Sequence, residues 1–262
     1  MSGRILPSHT DKSHNESADL ASVRAARPAQ ISFWLASLLV EGGRRHVRLC
    51  RGEAADILLV SNVLEHGKHI GIPDAGCVWH SDMSTEKHPP RATVLHAKEI
   101  PVTADGAVLG DTLFASAVAA YDTMSDIMKE KVKGLRAIHD VAGRRRGLNM
   151  GTKEDNEARA TRPLVQPPVT RTHPYTGRKA IYVNNGECVG IEGMAEDEAL
   201  SLIDELATTV IRDEFTYRHR WQVGDVVIWD NCAVQHLGTH DYELPLRRLM
   251  WRVTVGYTDV YE

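Results

Sequence analysis

The sequence predicts a mainly β fold with flanking helices, of the double-stranded β-helix or jelly-roll kind found in cupins. Most of its apolar segments are short runs bounded by Gly, Pro, Asn and Asp, which is typical of strands. The polar residues best suited to bind a metal, His80, Asp82 and His236, lie far apart in the chain beside such runs. Ligands that come from distant short strands fit a jelly roll of the cupin kind.

The bulk composition limits the classes of function. The 262 residues suit one domain with a sizeable core, or two smaller ones, and the net charge of −4 gives no reason to expect a nucleic-acid partner. The four cysteines lack C-x-x-C spacing, so we expect free thiols and a cytoplasmic location. The longest apolar stretch, residues 31–40, is too short for a membrane span and poorly placed for a signal peptide. The sequence is compatible with a homo-oligomer and does not decide the oligomeric state.

The chain is expected to begin with an atypical N-terminal segment, residues 1–52, ahead of one domain at residues 53–262. Residues 1–30 are rich in Ser, Arg, Ala, His and Pro and have few apolar positions, so we expect disorder there. Residues 31–41 are compatible with a short helix. The basic residues 42–48 are interpreted as a solvated loop rather than an anion site.

The domain itself is read as short strands interrupted by a few helices. Two successive helices are predicted at residues 113–124 and 125–139, with Ser125 as an N-cap and Gly134 as a weak point of the second. Residues 141–168 form a long polar loop, in which Arg144, Arg145 and Arg146 are interpreted as solvated. The other predicted elements are strands at 57–60, 93–100, 215–221, 225–230 and 249–257, a hairpin at 169–183 and an amphipathic helix at 196–212.

The strongest candidate for chemistry is the pair His80 and Asp82. On an extended strand, residues two apart point to the same face at about 6.5 Å spacing, so both side chains can reach one ion. His236, which follows an apolar run and a turn, is the best third donor. Two His and one carboxylate form the ligand set of non-heme Fe(II) oxygenases. Taken alone the pair is weak evidence, because a core histidine beside a turn aspartate gives the same pattern.

A second pattern lies near the end of the chain. Arg248 and Arg252 fall on the same face of the predicted last strand, about 13 Å apart, whereas Arg247 points to the opposite face and is expected to be solvated. Two arginines on one strand face are costly in an ordinary core, because a buried charge needs a partner. The planar guanidinium binds carboxylates through two hydrogen bonds, so this face predicts an anion site.

Several short motifs occur in a recognisable order. They are Trp79-His80-Ser81-Asp82-Met83-Ser84, Gly110-Asp111-Thr112, Tyr217-Arg218-His219-Arg220-Trp221, Trp229-Asp230-Asn231 with Gln235-His236, and Arg247-Arg248 with Arg252. Together they closely resemble the taurine / 2,4-dichlorophenoxyacetate dioxygenase family, which uses Fe(II) and 2-oxoglutarate. The resemblance runs from about residue 57 to residue 255, and it implies a double-stranded β-helix with helices packed outside.

The resemblance also implies roles for individual residues. His80, Asp82 and His236 match the iron ligands, and Arg248 with Thr112 matches the pair that holds the far carboxylate of 2-oxoglutarate. The implied co-substrates are 2-oxoglutarate and O₂, and the products include succinate and CO₂. The loop at residues 141–168 resembles the mobile cover of the active site.

Two further positions concern the primary substrate, which is expected to be a small sulfonate or carboxylate. Arg252 matches the family residue that contacts the substrate anion, with a structural ion pair to Asp111 or Asp230 as the alternative. His46 lies at about the right distance before residue 57 to match a substrate-binding histidine, although its neighbours do not match.

Two other functions are considered. One is a truncated, catalytically impaired member of the family that binds only metal and 2-oxoglutarate, because the first fifty residues do not resemble the family start. The other is a cupin-type binding or metal-hydrolase domain. Arg248 and Thr112 argue against the latter, since hydrolysis needs no clamp for 2-oxoglutarate.

Overall fold

The computed structural model describes residues 57–140 and 164–258, and the backbone of residues 24–25. Several expectations therefore lie outside the described residues. These are the disorder of residues 1–30, the helix at 31–41, the solvated loop at 42–48, the position of His46, and most of the predicted loop, residues 141–163.

Short strands are the dominant elements of the described chain. In chain order they are β1 (Arg24–Ala25), β2 (Leu58–Ser61), β3 (Leu64–Glu65), β4 (Lys68–His69), β5 (Ala92–Glu99), β6 (Thr112–Ser116), β7 (Ala137–His139), β8 (Thr170–Thr172), β9 (Lys179–Ile181), β10 (Cys188–Ile191), β11 (Thr216–His219), β12 (Val226–Asp230), β13 (Val234–Gly238) and β14 (Leu249–Val255). Of the two main sheets, the larger has the order β1-β12-β5-β14-β2, and the smaller has the order β11-β6-β13. Both are antiparallel throughout.

One hydrophobic core joins these two sheets. It combines side chains of the larger sheet, such as Leu95 and Met250, with Phe114 and Val234 of the smaller one. Alternate residues of a strand point to opposite faces, so each sheet turns one apolar face toward the other. The residues that line this shared interior are therefore the ones that can meet in a site between the sheets.

The helices pack on a second core. They are α1 (Ala117–Thr123), α2 (Asp126–Val132) and α3 (Glu196–Val210), and a 3-10 turn follows at Asp213–Phe215. The helical spacing predicted for α3 is confirmed, because its buried residues include Ala199, Ile203, Leu206 and Val210. Of the helices in the described ranges, none has the length and apolar character that a membrane crossing requires.

The first of the two helices predicted after residue 112 begins too early. Residues 113–116 belong to β6, which is paired on both sides, with β11 and with β13. A short apolar run has no periodicity that separates strand from helix, so the pairing decided the outcome. The N-cap at Ser125 is confirmed, since its side chain accepts a hydrogen bond from the Met128 backbone. The second helix ends at Val132, two residues before Gly134 at φ +76°.

Candidate active site

The two candidate histidines are brought together by backbone pairing. His80 forms an isolated antiparallel bridge with His236 on β13, and each backbone N–H donates to the other's carbonyl, at 3.1 and 2.9 Å. Their ring centroids consequently lie 4.1 Å apart. The His80 Nδ1 lies 2.8 Å from the Val78 carbonyl, which can only accept a hydrogen bond. Nδ1 therefore donates this hydrogen bond, and in the neutral imidazole Nε2 is left as the atom that faces the site with a lone pair.

The spacing predicts His80 and Asp82 on one extended strand, and this prediction is wrong. The chain turns at Asp82, and the next residue, Met83, has a positive φ of 53°. The Asn231 side chain holds this turn by accepting from the Asp82 backbone N–H at 2.8 Å and donating to its carbonyl at 2.9 Å. Side-chain hydrogen bonds thus replace the strand pairing that would otherwise satisfy this buried backbone.

The resulting geometry joins three buried ligand groups. The Asp82 Oδ1 lies 3.5 Å from His80 Nε2 and 3.6 Å from His236 Nε2. Its other oxygen, Oδ2, accepts a hydrogen bond from the Thr93 hydroxyl at 2.6 Å. One ligand atom from each of the three residues lies within 4.8 Å of the others. Two imidazoles and one carboxylate on one side of a small space are the donors that a divalent first-row metal needs.

The Asp82 carboxylate also has a cationic neighbour. Arg252, on β14, places Nη2 2.6 Å from Asp82 Oδ1, although its own side chain is 16% exposed and that of Asp82 only 1%. Burial raises the pKa of the Asp82 carboxyl, but the positive charge of Arg252 at contact distance outweighs burial, so its pKa is held well below the ordinary value. The site therefore contains an ionised carboxylate that needs positive charge.

A second group of possible ligands is less suited to a metal. It consists of His173, Asp230 and Cys232. The His173 Nδ1 accepts hydrogen bonds from two backbone N–H groups at 3.1 and 3.2 Å, so the proton is on Nε2, which donates to Asp230 at 2.9 Å. Burial raises the pKa of the Cys232 thiol to about 11. Both ring nitrogens of His173 are already used in hydrogen bonds within the protein, so we assign this group to a hydrogen-bonded network.

A further pair of polar residues lies beside the first cluster. Thr112 opens β6 and Phe114 follows two residues later on the same face, where its ring lies 6.0 Å from that of His236. The Thr112 hydroxyl is 3% exposed and accepts a hydrogen bond from the Trp221 indole N–H at 3.0 Å. Thr112 therefore faces the same interior as the metal-ligand candidates.

Arg248 reaches this interior from the start of β14. Its backbone is fixed by Asn62, which accepts from its N–H at 2.8 Å, and by Ser61, which donates to its carbonyl at 2.9 Å. Burial lowers the pKa of the guanidinium, an effect that the interaction with Tyr242 partly offsets. The Arg248 Nε has no hydrogen-bond partner among the described residues. A Cβ at Gly110, where φ is +76°, would lie 3.1 Å from Arg248 and Tyr242, so glycine allows this side chain its place.

Comparison with known proteins identifies the family. The sequence profile described as "Taurine catabolism dioxygenase TauD, TfdA family" matches residues 37–254. The chain belongs to the TauD/TfdA family. An alpha-ketoglutarate-dependent 2,4-dichlorophenoxyacetate dioxygenase from Cupriavidus pinatubonensis is 34% identical over 226 residues, which are 82% of this chain and 75% of that protein.

Solved structures agree with this assignment. The crystal structure of AAD-2 in complex with Mn(II) and N-oxalylglycine is 30% identical, with a TM-score of 0.65 over 71% of this chain and 70% of that one. A taurine dioxygenase from Burkholderia xenovorans is 26% identical, with a TM-score of 0.65 over 89% of this chain and 76% of that one. The predicted jelly roll is confirmed by this likeness to TauD/TfdA structures.

The TauD/TfdA chain carries most of the predicted site residues in one region. His80, Asp82 and His236 converge, and Arg252 joins them through Asp82. Arg252 does form an ion pair with a nearby acid, as the alternative expected, but its partner is Asp82. The two acids named for that role are wrong, since Asp111 pairs with Arg218 at 2.6 Å and Asp230 with His173. Arg247 is confirmed as solvated, in an exposed ion pair with Glu99 at 2.8 Å.

Sequence reasoning missed the residues that hold the ligands in place. The sequence predicts Asn231 only as part of a turn and Thr93 only as part of a strand, although both hydrogen-bond to Asp82. Asn231 and Trp221 lie within motifs, which is a signal for them, whereas Thr93 lies in none. Spacing alone does not reveal which neighbour a polar side chain contacts.

Proposed function

We propose that this chain is an Fe(II)- and 2-oxoglutarate-dependent dioxygenase that hydroxylates a small organic anion. The observation that carries the proposal is the convergence of His80, Asp82 and His236, with ligand atoms within 4.8 Å, in a chain of the TauD/TfdA family. The dioxygenase domain is assigned to residues 53–262. Its substrate is a small molecule, as are those named for the relatives.

The three residues suit a divalent metal in the type of donor atom that each offers and in which of their atoms carry protons. In the neutral imidazole of His80, Nδ1 carries the proton and donates to a carbonyl, so Nε2 is the atom that can bind a metal, and the Asp82 carboxylate is ionised. Thr93 engages Oδ2 of Asp82, which leaves Oδ1 directed at the two imidazoles. These residues would hold Fe(II) on one side and leave its other positions open.

Arg248 and Thr112 are assigned to the far carboxylate of 2-oxoglutarate. The guanidinium is 5% exposed and remains charged, and its Nε–H is unused within the described chain. A buried charge of this kind is stabilised by an anion that accepts two hydrogen bonds. AAD-2 was crystallised with N-oxalylglycine, which carries the same two terminal carboxylates as 2-oxoglutarate, so the assigned pocket fits a ligand known to bind within the family.

Arg252 is assigned to the anionic group of the primary substrate. In this structure its guanidinium neutralises Asp82, and its Nε has no partner among the described residues. A divalent cation held by Asp82 would take over that neutralising role, because two positive groups repel each other at contact distance. Arg252 would then need another anion. The carboxylate of 2,4-dichlorophenoxyacetate and the sulfonate of taurine are the matching groups in the substrates of the relatives.

When bound, iron and 2-oxoglutarate supply the oxidation of a C–H bond by O₂, with succinate, CO₂ and the hydroxylated substrate as products. The chain's own residues position the reactants. Arg248 and Thr112 orient one anion and Arg252 the other, so that a substrate carbon is held beside the three ligands. The low exposure of His80, Asp82 and His236 keeps bulk water away from this place.

Succinate release tests the proposal. Purified protein with Fe(II), 2-oxoglutarate and O₂ should release succinate faster in the presence of some members of a panel of sulfonates, aryloxyalkanoates and other small carboxylates. Each reaction is run against one without substrate and one with N-oxalylglycine as inhibitor. A protein that binds Mn(II) and N-oxalylglycine but releases no succinate with any substrate would favour the catalytically impaired alternative. A protein that binds neither would contradict the proposal.

A further inference from the structure

The Trp221 indole makes one buried hydrogen bond inside the proposed 2-oxoglutarate pocket. Its Nε1–H donates to the Thr112 Oγ1 at 3.0 Å, and the two residues are 1% and 3% exposed. They lie 109 positions apart in sequence, so the contact depends on the folded arrangement. A buried, long-range side-chain hydrogen bond restricts both partners, and here one of them is assigned to the co-substrate.

This contact decides where the Thr112 proton can go. A threonine hydroxyl has one proton and two acceptor lone pairs, whereas an indole N–H can only donate. Trp221 therefore occupies a lone pair and leaves the proton of Thr112 available. Within the described residues, Thr112 Oγ1 makes no other side-chain hydrogen bond that would use this proton. The hydroxyl is thereby set as a donor, which is the role that a carboxylate ligand requires.

Trp221 is held firmly enough to act in this way. Its ring belongs to the core that joins the two sheets, and the edge of the His219 ring packs against it at a centroid distance of 4.5 Å. Trp229, the other fully buried tryptophan, offers a contrast, because its indole N–H has no partner among the described residues. A buried tryptophan in this core thus does not need to make a hydrogen bond, and the contact of Trp221 is specific.

Arg248, which is assigned to the same pocket, is also a hydrogen-bond donor. Arg248 is buried, with its Nε–H unused by any described residue, and Gly110 brings the chain of β6 close to it. Two donors without an acceptor between them suit a ligand group that accepts on both oxygens. Holding the donors in place before the ligand arrives reduces the entropy lost on binding.

We propose that Trp221 is a positioning residue, which orients the Thr112 hydroxyl toward the far carboxylate of 2-oxoglutarate. This inference rests on the proposed function, since it concerns the same pocket. It adds that part of the affinity for the co-substrate comes from a tryptophan that does not touch it. It follows that Trp221 affects ligands with a far carboxylate and has little effect on ligands that only chelate the metal.

A double-mutant cycle tests the inference. Wild type, Trp221→Phe, Thr112→Val and the double variant are saturated with Mn(II), and binding of N-oxalylglycine and of oxalate is measured by calorimetry. Oxalate can chelate the metal but has no far carboxylate. Thr112→Val should weaken N-oxalylglycine about tenfold, the usual effect of losing a hydrogen bond to a charged group. Trp221→Phe should act in the same direction, and the double variant should be no weaker than Thr112→Val.

Three results for the Trp221→Phe variant would overturn the inference. The first is binding of N-oxalylglycine as tight as in wild type. The second is an effect that persists in full in the Thr112→Val background, as a packing defect would. The third is an equal weakening of oxalate. Thr112→Ser keeps the hydroxyl and should restore most of the affinity. A wild-type protein that binds N-oxalylglycine no more tightly than oxalate would contradict the assigned carboxylate clamp, and the inference with it.

A measurement that does not require a tryptophan variant to fold uses the indole N–H itself. In ¹⁵N-labelled protein saturated with Zn(II), the Trp221 indole resonance should move when N-oxalylglycine is added, because hydrogen bonds in a chain polarise one another. Oxalate should not shift the Trp221 indole resonance. The Thr112→Val variant identifies this resonance by changing its position, and in that variant N-oxalylglycine should no longer shift it. An indole resonance that is sensitive to Thr112→Val but unchanged by N-oxalylglycine would contradict the proposed orientation.

Discussion

Asp82 is the side chain on which the charge balance of the site depends. It is buried, ionised and in contact with Arg252, while both imidazoles lie within 3.6 Å of the same oxygen. Replacing Asp82 with Ala removes the only carboxylate of this cluster. We expect Asp82→Ala to lose Mn(II) binding in calorimetry and to lose 2-oxoglutarate turnover, because two neutral imidazoles are a much weaker site.

The second cluster supplies the matched control for this experiment. Cys232→Ala removes a possible ligand there without removing a charge, because burial raises the pKa of the Cys232 thiol. That variant should keep its Mn(II) affinity. Full activity of Asp82→Ala with iron, or loss of metal in Cys232→Ala, would show that the metal has been assigned to the wrong cluster.

Arg248 and its neighbour Arg247 make a natural comparison at the residue scale. Arg248 is buried with an unused Nε–H, whereas Arg247 is exposed and pairs with Glu99. Arg248→Ala should cost on the order of 2–5 kcal/mol in 2-oxoglutarate binding, since a buried charge-assisted partner is lost. Arg247→Ala should have almost no effect. The two apparent requirements, for 2-oxoglutarate and for Fe(II), are measured separately in steady-state assays, and an equal rise in both would indicate general misfolding instead.

At the scale of elements, a buried network joins the metal-binding turn to β7 and β10. The Ser84 hydroxyl donates to Glu187 at 2.5 Å and accepts from His139 Nδ1 at 2.8 Å, and the Cys188 thiol lies 3.1 Å from His139 Nε2. Burial lowers the pKa of His139 to about 4, although the nearby Glu187 opposes this effect. The network therefore requires a neutral His139 in the folded protein.

This requirement predicts a pH dependence of stability. Between pH 4 and about 6.5 the unfolded chain protonates this histidine while the folded chain does not, so stability falls as the pH is lowered through that range. In urea unfolding, the difference in free energy of unfolding between wild type and His139→Gln should shrink by about 2 kcal/mol from pH 7 to pH 5. The exposed His88 provides a control, because His88→Gln should follow the wild-type curve. A constant difference would show that His139 binds its proton equally well in the folded and unfolded chains, which would contradict the requirement for a neutral His139.

The elements also show what sequence can predict. The amphipathic helix α3 and the hairpin of β8 and β9 were predicted because each carries its own periodicity or turn residues. β6 was taken for helix, because its five residues have no periodicity and its strand form depends on pairing with β11 and β13. The turn at Asp82 could not be predicted either, since Asn231 fixes it from 149 positions away.

For the whole molecule, the candidate site is formed where the two sheets face each other. His236 comes from the smaller sheet and Arg252 from the larger, and Asp82 lies on the turn between β4 and β5. Residue types and motif order predicted which side chains meet here, because a jelly roll brings distant strands together. The sequence did not predict the ion pair of Arg252 with Asp82, since several acids share that interior and only their distances select one.

That ion pair links the metal to the substrate anion. In the structure, the Arg252 guanidinium is engaged by Asp82. A divalent cation bound to the same carboxylate would compete with that contact, and a ligand anion would then be the natural partner of the guanidinium. Metal and anionic substrate should therefore bind cooperatively, with a coupling of about tenfold. The same argument predicts that Arg252→Gln binds Mn(II) more tightly than wild type, because the competing charge is gone.

Calorimetry and kinetics on Arg252→Gln test this coupling. The best substrate of the panel and its neutral ester or amide are titrated into metal-free and Mn(II)-saturated protein. In wild type the anion should bind about tenfold more tightly with Mn(II), whereas the neutral analogue should gain much less. Arg252→Gln should lose efficiency with the anion far more than with the neutral analogue, and Arg247→Gln should behave as wild type. An equal loss on both ligands would make Arg252 only a structural partner of Asp82. A residue that holds only the Asp82 carboxylate cannot distinguish a charged substrate from a neutral one.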